Sequence, residues 1–149
     1  MKNEIMKHQL IMFAVMVFVG MSFNPMNMLA FRFSDLYLSL TLFYGGLIMA
    51  SNMIWAHEII HFIHMGNMNL LVFIIGIILT IITTLIIRDQ IFIDDNQWLR
   101  RMISHHSTAL TTSHNIKNKT QNPELKKLAE DIIDTQEREI AQMKQLLKN

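Results

Sequence analysis

Residues 68–87 read MNLLVFIIGIILTIITTLII, an unbroken apolar run with three threonines and no charge. About 20 apolar residues of helix cross a bilayer core, so this run meets the length of a crossing. The run before it extends from Leu36 to about Ile63, contains no Lys or Arg, and has residues to spare. A chain of 149 residues has no soluble domain large enough to bury both as core helices. A further apolar run, Leu10–Met21 with outer limits at Met6 and Ala30, is interrupted by Asn24-Pro25 and reaches spanning length with its polar flanks. Lys2 and Lys7 give it a basic start, but "SFNPMNMLAF" follows in place of a small-residue cleavage site. It therefore reads as an uncleaved anchor. The expectation is a membrane domain over 1–93 with three transmembrane helices at about 8–30, 36–63 and 68–88.

The charges support that division. Residues 94–149 hold 9 Lys/Arg and 8 Asp/Glu, whereas residues 1–93 hold 4 of each. An apolar two-thirds precedes a charged last third. The net charge of +1 supplies no basic field, which excludes nucleic acid as a partner. The absence of cysteine removes disulfides, thiolate metal sites and cysteine nucleophiles. Methionine is abundant at 13 residues, and serves either as flexible core filler or as thioether ligand. The chain reads as a multi-pass integral membrane protein, in the cytoplasmic membrane if bacterial, with the lipid bilayer as its first partner. Arg32, Arg88, Arg100 and Arg101 favour a cytoplasmic tail, while the basic start favours the opposite, so the side stays open.

From residue 94 the pattern turns amphipathic. Asp94, Asp95 and Asn96 suit a helix start, and Trp98, Met102, His106, Ala109 and Ser113 recur at helical spacing beside Leu99, Ile103 and Leu110. "NKTQNPE" breaks the run, and Asn122-Pro123-Glu124 starts a second helix with proline at its first position. The second stripe is Leu125, Leu128, Ala129, Ile132, Ile133, Ile140, Met143 and Leu147. These two helices form an antiparallel pair. Two helices do not bury their stripes alone, so a second copy is expected, as a homodimer or higher homo-oligomer through the C-terminal helices.

Within the first tail helix lies "MISHHSTALTTSH", residues 102–114. Adjacent helical residues point about 100° apart, so His106 shares the inner stripe with Met102 while His105 lies on a ridge with Arg101. Gln136, Glu139, Ile140 and Met143 fall on or near the facing side of the second helix. Imidazole suits copper, zinc, iron and nickel, and thioether selects copper(I) and similar soft ions. With one inner carboxylate, the mixture favours copper(I) or silver(I) over zinc or iron. A structural reading stands beside it, in which the histidines are satisfied by buried hydrogen bonds and the pair is a dimerisation bundle without metal.

"QWLRRMISHHSTAL" followed by "NPELKKLAEDIIDTQEREIAQMKQLL" resembles the family called domain of unknown function 305, over roughly residues 95–148. The resemblance implies a ferritin-like four-helix bundle made from two helix pairs, so that the chain is all-α with half of such a bundle after its membrane helices. It also implies metal binding, with copper or silver handling or tolerance among some members. Carried over by position, the implied metal residues are Met102, His105, His106, Gln136, Glu139 and Met143. Ser104 stands where members usually have proline, and Thr112 where many have methionine, which removes one soft ligand. His114 lies two residues beyond Thr112.

"MASNMIWAHEIIHFIHMGNM" closes the second apolar run. Met49, Met53, His57 and His61 step by four, with His64 and Met65 after them, making a secondary candidate metal cluster. The alternative is anchoring of His and Trp55 at the headgroups. His57-Glu58-x-x-His61 also has the spacing of zinc metalloproteases, a minor alternative because no third-ligand segment or substrate cleft is evident. No catalytic residue is assigned.

Overall fold

A computed structural model of the chain describes residues 2–148, with side chains for residue 7 and residues 9–148. The Lys2 side chain of the basic start lies outside the described residues. The elements are α1 (Lys2–Ser22), α2 (Pro25–Met28), a 3₁₀ turn (Phe33–Asp35), α3 (Leu40–Met65), α4 (Leu70–Arg88), α5 (Asp95–Lys119) and α6 (Pro123–Leu146). The fold is all-helical, with no strand among the described residues. The chain divides into two compact units.

The first unit contains α1 and Leu40–Phe92. Its middle helix, α3, packs against both α1 and α4. Small residues set the spacing. A Cβ on Gly46 would lie 2.6 Å from the Val17 carbonyl oxygen, and one on Gly76 would lie 2.9 Å from the Trp55 nitrogen. Backbones thus approach where glycine removes the side chain, the packing used when two apolar helices must touch closely. Between α3 and α4, Asn52 Oδ1 accepts from Trp55 Nε1 and from Thr80 Oγ1, each at 3.1 Å.

Among the described residues, two stretches are long and apolar enough to cross a membrane, Gln9–Met28 and Leu70–Arg88, and only 11% of each is buried. Three were expected. The 26-residue α3 has the length, but Asn52, His57, Glu58, His61 and His64 dilute its apolar character. Its helix also starts at Leu40 and not at Leu36, because residues 36–39 belong to an irregular connector.

The second unit contains the connector, Phe23–Ser39, together with residues 93–149. Asp94 caps α5 by accepting from the Gln97 N–H at 2.7 Å, and Asn122 caps α6 by accepting from Glu124 and Leu125. Leu99, Ile103 and Leu110 of α5 pack on Ile133, Ile140 and Met143 of α6, with Tyr37, Met102 and Leu147 at the margin. The antiparallel pair was legible in the stripes. The four-helix bundle is not what one chain forms: the third layer on this pair is the connector, not another helix pair.

The connector is held by hydroxyls. Ser107 Oγ accepts from the Phe31 N–H at 2.9 Å and donates to Asp35 Oδ2 at 2.8 Å. Ser104 Oγ donates to the Asp35 carbonyl at 2.8 Å and accepts from the Tyr37 N–H. Thr108 Oγ1 donates to the Met26 carbonyl at 2.9 Å. Asp35 is fully buried and ion-paired with Lys144 of α6. Arg32 pairs with Glu137 at 2.8 Å, and the Phe31 ring stacks on His114 at 4.8 Å.

Candidate functional site

The apolar stripes of α5 and α6 bring His106 and Glu139 together near the middle of the helix pair. The His106 side chain is 11% exposed and that of Glu139 44%. His106 Nδ1 lies 2.8 Å from the Met102 carbonyl oxygen, and Nε2 lies 2.9 Å from Glu139 Oε2. A carbonyl only accepts, so Nδ1 carries the hydrogen and donates it. That fixes the ring's orientation and directs Nε2 at the carboxylate. The contact at Nε2 then requires a proton held between nitrogen and oxygen.

The other expected residues are distributed around this pair. Met102 is half-buried against the core, Met143 is buried within it, and Gln136 is half-buried on the adjoining turn of α6. His105 is exposed, its ring edge-on to His106 at 6.0 Å. Its pKa is lowered from the ordinary 6.5, first by desolvation and then by the charges of Arg101 and His106. Burial likewise lowers Arg101, whose guanidinium donates to the Met26 sulfur. His114, stacked on Phe31, is turned to the connector. Among the described residues, no group of three or more His, Asp or Glu is arranged to hold a metal. A single chain therefore brings together two donor side chains of the six expected at this site.

The second histidine cluster lies in the first unit. His61 Nδ1 donates to the Asn67 carbonyl at 3.0 Å, and the His57 and His61 rings lie 6.4 Å apart. Glu58 is buried: its Oε2 accepts from the Asn69 N–H at 2.9 Å, at the start of α4, while its Oε1 lies 4.0 Å from His57 Nδ1. These residues border an open pocket of about 700 Å³ that also meets Gln9 and Met68. A carboxylate committed to a backbone amide is not placed as the water-activating base of a protease motif. Met49, Met53, His64 and Met65 are exposed on α3 and are not gathered with them.

The sequence reading passed over the polar set Asp35, Ser104, Ser107, Thr108 and Lys144. A signal was present: Asp35 is the one acid between the first two apolar runs. Ser104, which stands where family members usually have proline, joins α5 to the connector.

These features define an all-helical protein with apolar helices of membrane-crossing length and a polar-centred antiparallel pair. The chain belongs to the family of the domain of unknown function (DUF305), whose model matches residues 91–147. It is also similar to an uncharacterized protein of Acanthamoeba polyphaga mimivirus, 41% identical over 138 residues, covering 93% of this chain and 90% of that protein. No solved structure matches the chain.

Proposed function

We propose that the chain is a membrane-anchored metal-binding protein whose α5–α6 pair handles a soft or borderline ion. The observation that carries this reading is His106: its Nδ1–H is committed to a backbone carbonyl while Nε2 faces a carboxylate. That is how metal-ligating imidazoles are oriented, and an ion in place of the shared proton would be held by Nε2 and Glu139. Copper(I) or silver(I) is the ion if the Met102 and Met143 thioethers join, and zinc or iron if only nitrogen and oxygen ligate. His105 and Gln136 act as supporting donors or orient the ligands. A structural role is the competing reading, supported by the fact that both His106 ring nitrogens have protein partners.

The membrane placement has its own support. Connector and tail pack in one unit, so they share one side of a bilayer. An even number of crossings must separate residue 39 from residue 93. If α4 crosses, α3 crosses too, and its polar residues are accommodated by the Asn52–Thr80 and Glu58–Asn69 bonds. The test is an anaerobic copper(I) and zinc(II) competition titration of the detergent-solubilised full chain against His105→Ala/His106→Ala. The expected result is tight binding lost in the double variant with helicity retained. Equal affinity in both proteins overturns the reading.

A further inference from the structure

The helix pair has two long sides, and only one is covered. Ser104, Ser107 and Thr108 of α5 and Glu137 and Lys144 of α6 are all bonded to the connector. On the opposite side, helical spacing lines up Trp98, Met102, Ala109 and Ile116 of α5 with Leu128, Ile132, Glu139 and Leu146 of α6. Trp98, Leu128 and Leu146 are 49%, 54% and 53% exposed. The His106–Glu139 contact lies along this open side, and it supplies two donors where a structural ion takes about four.

We propose that a second copy of the chain covers this side and that the two copies jointly hold one borderline divalent ion. The site is then made of His106 and Glu139 from each copy. This rests on the reading of His106 and Glu139 as metal donors, and it adds the partner and the ion class. Three observations favour an identical copy over an unrelated partner. The donor pair is half of a set, and a two-fold axis beside it returns the same imidazole and the same carboxylate. The exposed stripe is built from large apolar residues and an aromatic, the composition of an interface core. The connector closes the other side, so pairing stops at two copies instead of continuing into a stack. Two imidazoles and two carboxylates form a nitrogen–oxygen set suited to zinc, while Met143 stays in the apolar core as packing.

The experiment uses the full chain in detergent, where the lack of native cysteine makes single-cysteine variants direct. Oligomeric mass and zinc content are measured together. Metal-free Ala109→Cys is treated with a bismaleimide crosslinker beside Arg100→Cys, which lies toward the connector side. The expected result is a dimer, crosslinking at 109 and not at 100, and about half a zinc per chain. His106→Gln, which retains a polar contact to Glu139, should keep the dimer and lose the zinc. A monomer or dimer that binds one zinc per chain overturns the shared site but leaves the metal reading standing. A dimer that binds no metal ion overturns both.

Discussion

Replacing Lys144 by methionine removes a charge whose partner has no access to water. Asp35 is 0% exposed, and without Lys144 its carboxylate keeps only hydroxyl partners, Ser107 at 2.8 Å and Ser34 at 3.4 Å. Removing one member of a buried ion pair costs about 3–5 kcal/mol, most of it the uncompensated charge. The change at Lys144 itself is small, because methionine keeps an unbranched chain only one atom shorter and the side chain is partly exposed. Because the connector and the helix pair form one unit, the loss should appear in α5 and α6. Amide hydrogen exchange is the assay: 3 kcal/mol corresponds to roughly 150-fold faster exchange in the most protected amides. The helices of the first unit serve as internal reference. Asp35→Asn/Lys144→Met, which removes the charge while keeping a group that accepts from Ser107, should recover most of the protection. Less than threefold acceleration in Lys144→Met, or no recovery in the double variant, would refute the assignment of Asp35–Lys144 as the clasp.

Three further outcomes are expected. Gly46→Ala should destabilise the first unit by about 1–3 kcal/mol because its Cβ meets the Val17 carbonyl, whereas Gly45→Ala, with nothing within 4 Å, should be neutral or stabilising; thermal melts of the pair read the difference. His105 has a lowered pKa, so the unfolded chain takes up its proton first. Stability is therefore complete above the ordinary 6.5 and is lost as pH falls through the lower folded value. His105→Gln should flatten that acid limb in melts from about pH 7.5 to 5.5. Ser104→Ala removes the bonds to the Asp35 carbonyl and Tyr37 N–H and should cost about 1–2 kcal/mol, seen as faster proteolysis of the connector.

The helix pair was legible because its stripes, its two caps and its proline all agree locally. Its cover was not, since nothing in the spacing of Phe23–Ser39 shows that it folds back on residues some 70 positions away. The same limit explains the site. Helical periodicity placed His106 and Glu139 on facing sides. It could not show that the Met102 carbonyl would fix one ring nitrogen. For α3, length suggested a crossing while its polar residues spoke against one. The contacts that bear on that question are long-range, those that put connector and tail in one unit.

The clasp also has a place in time. Lys144 follows Asp35 by 109 residues. At roughly 5–20 residues per second of synthesis, Asp35 waits on the order of 5–20 s for its counter-charge. Throughout that interval the connector has no assembled α5–α6 surface to settle on, and must stay hydrated. A product truncated before residue 144 would carry an acid that its own core cannot neutralise. The late lysine thus ties neutralisation of the Asp35 charge to translation past residue 144.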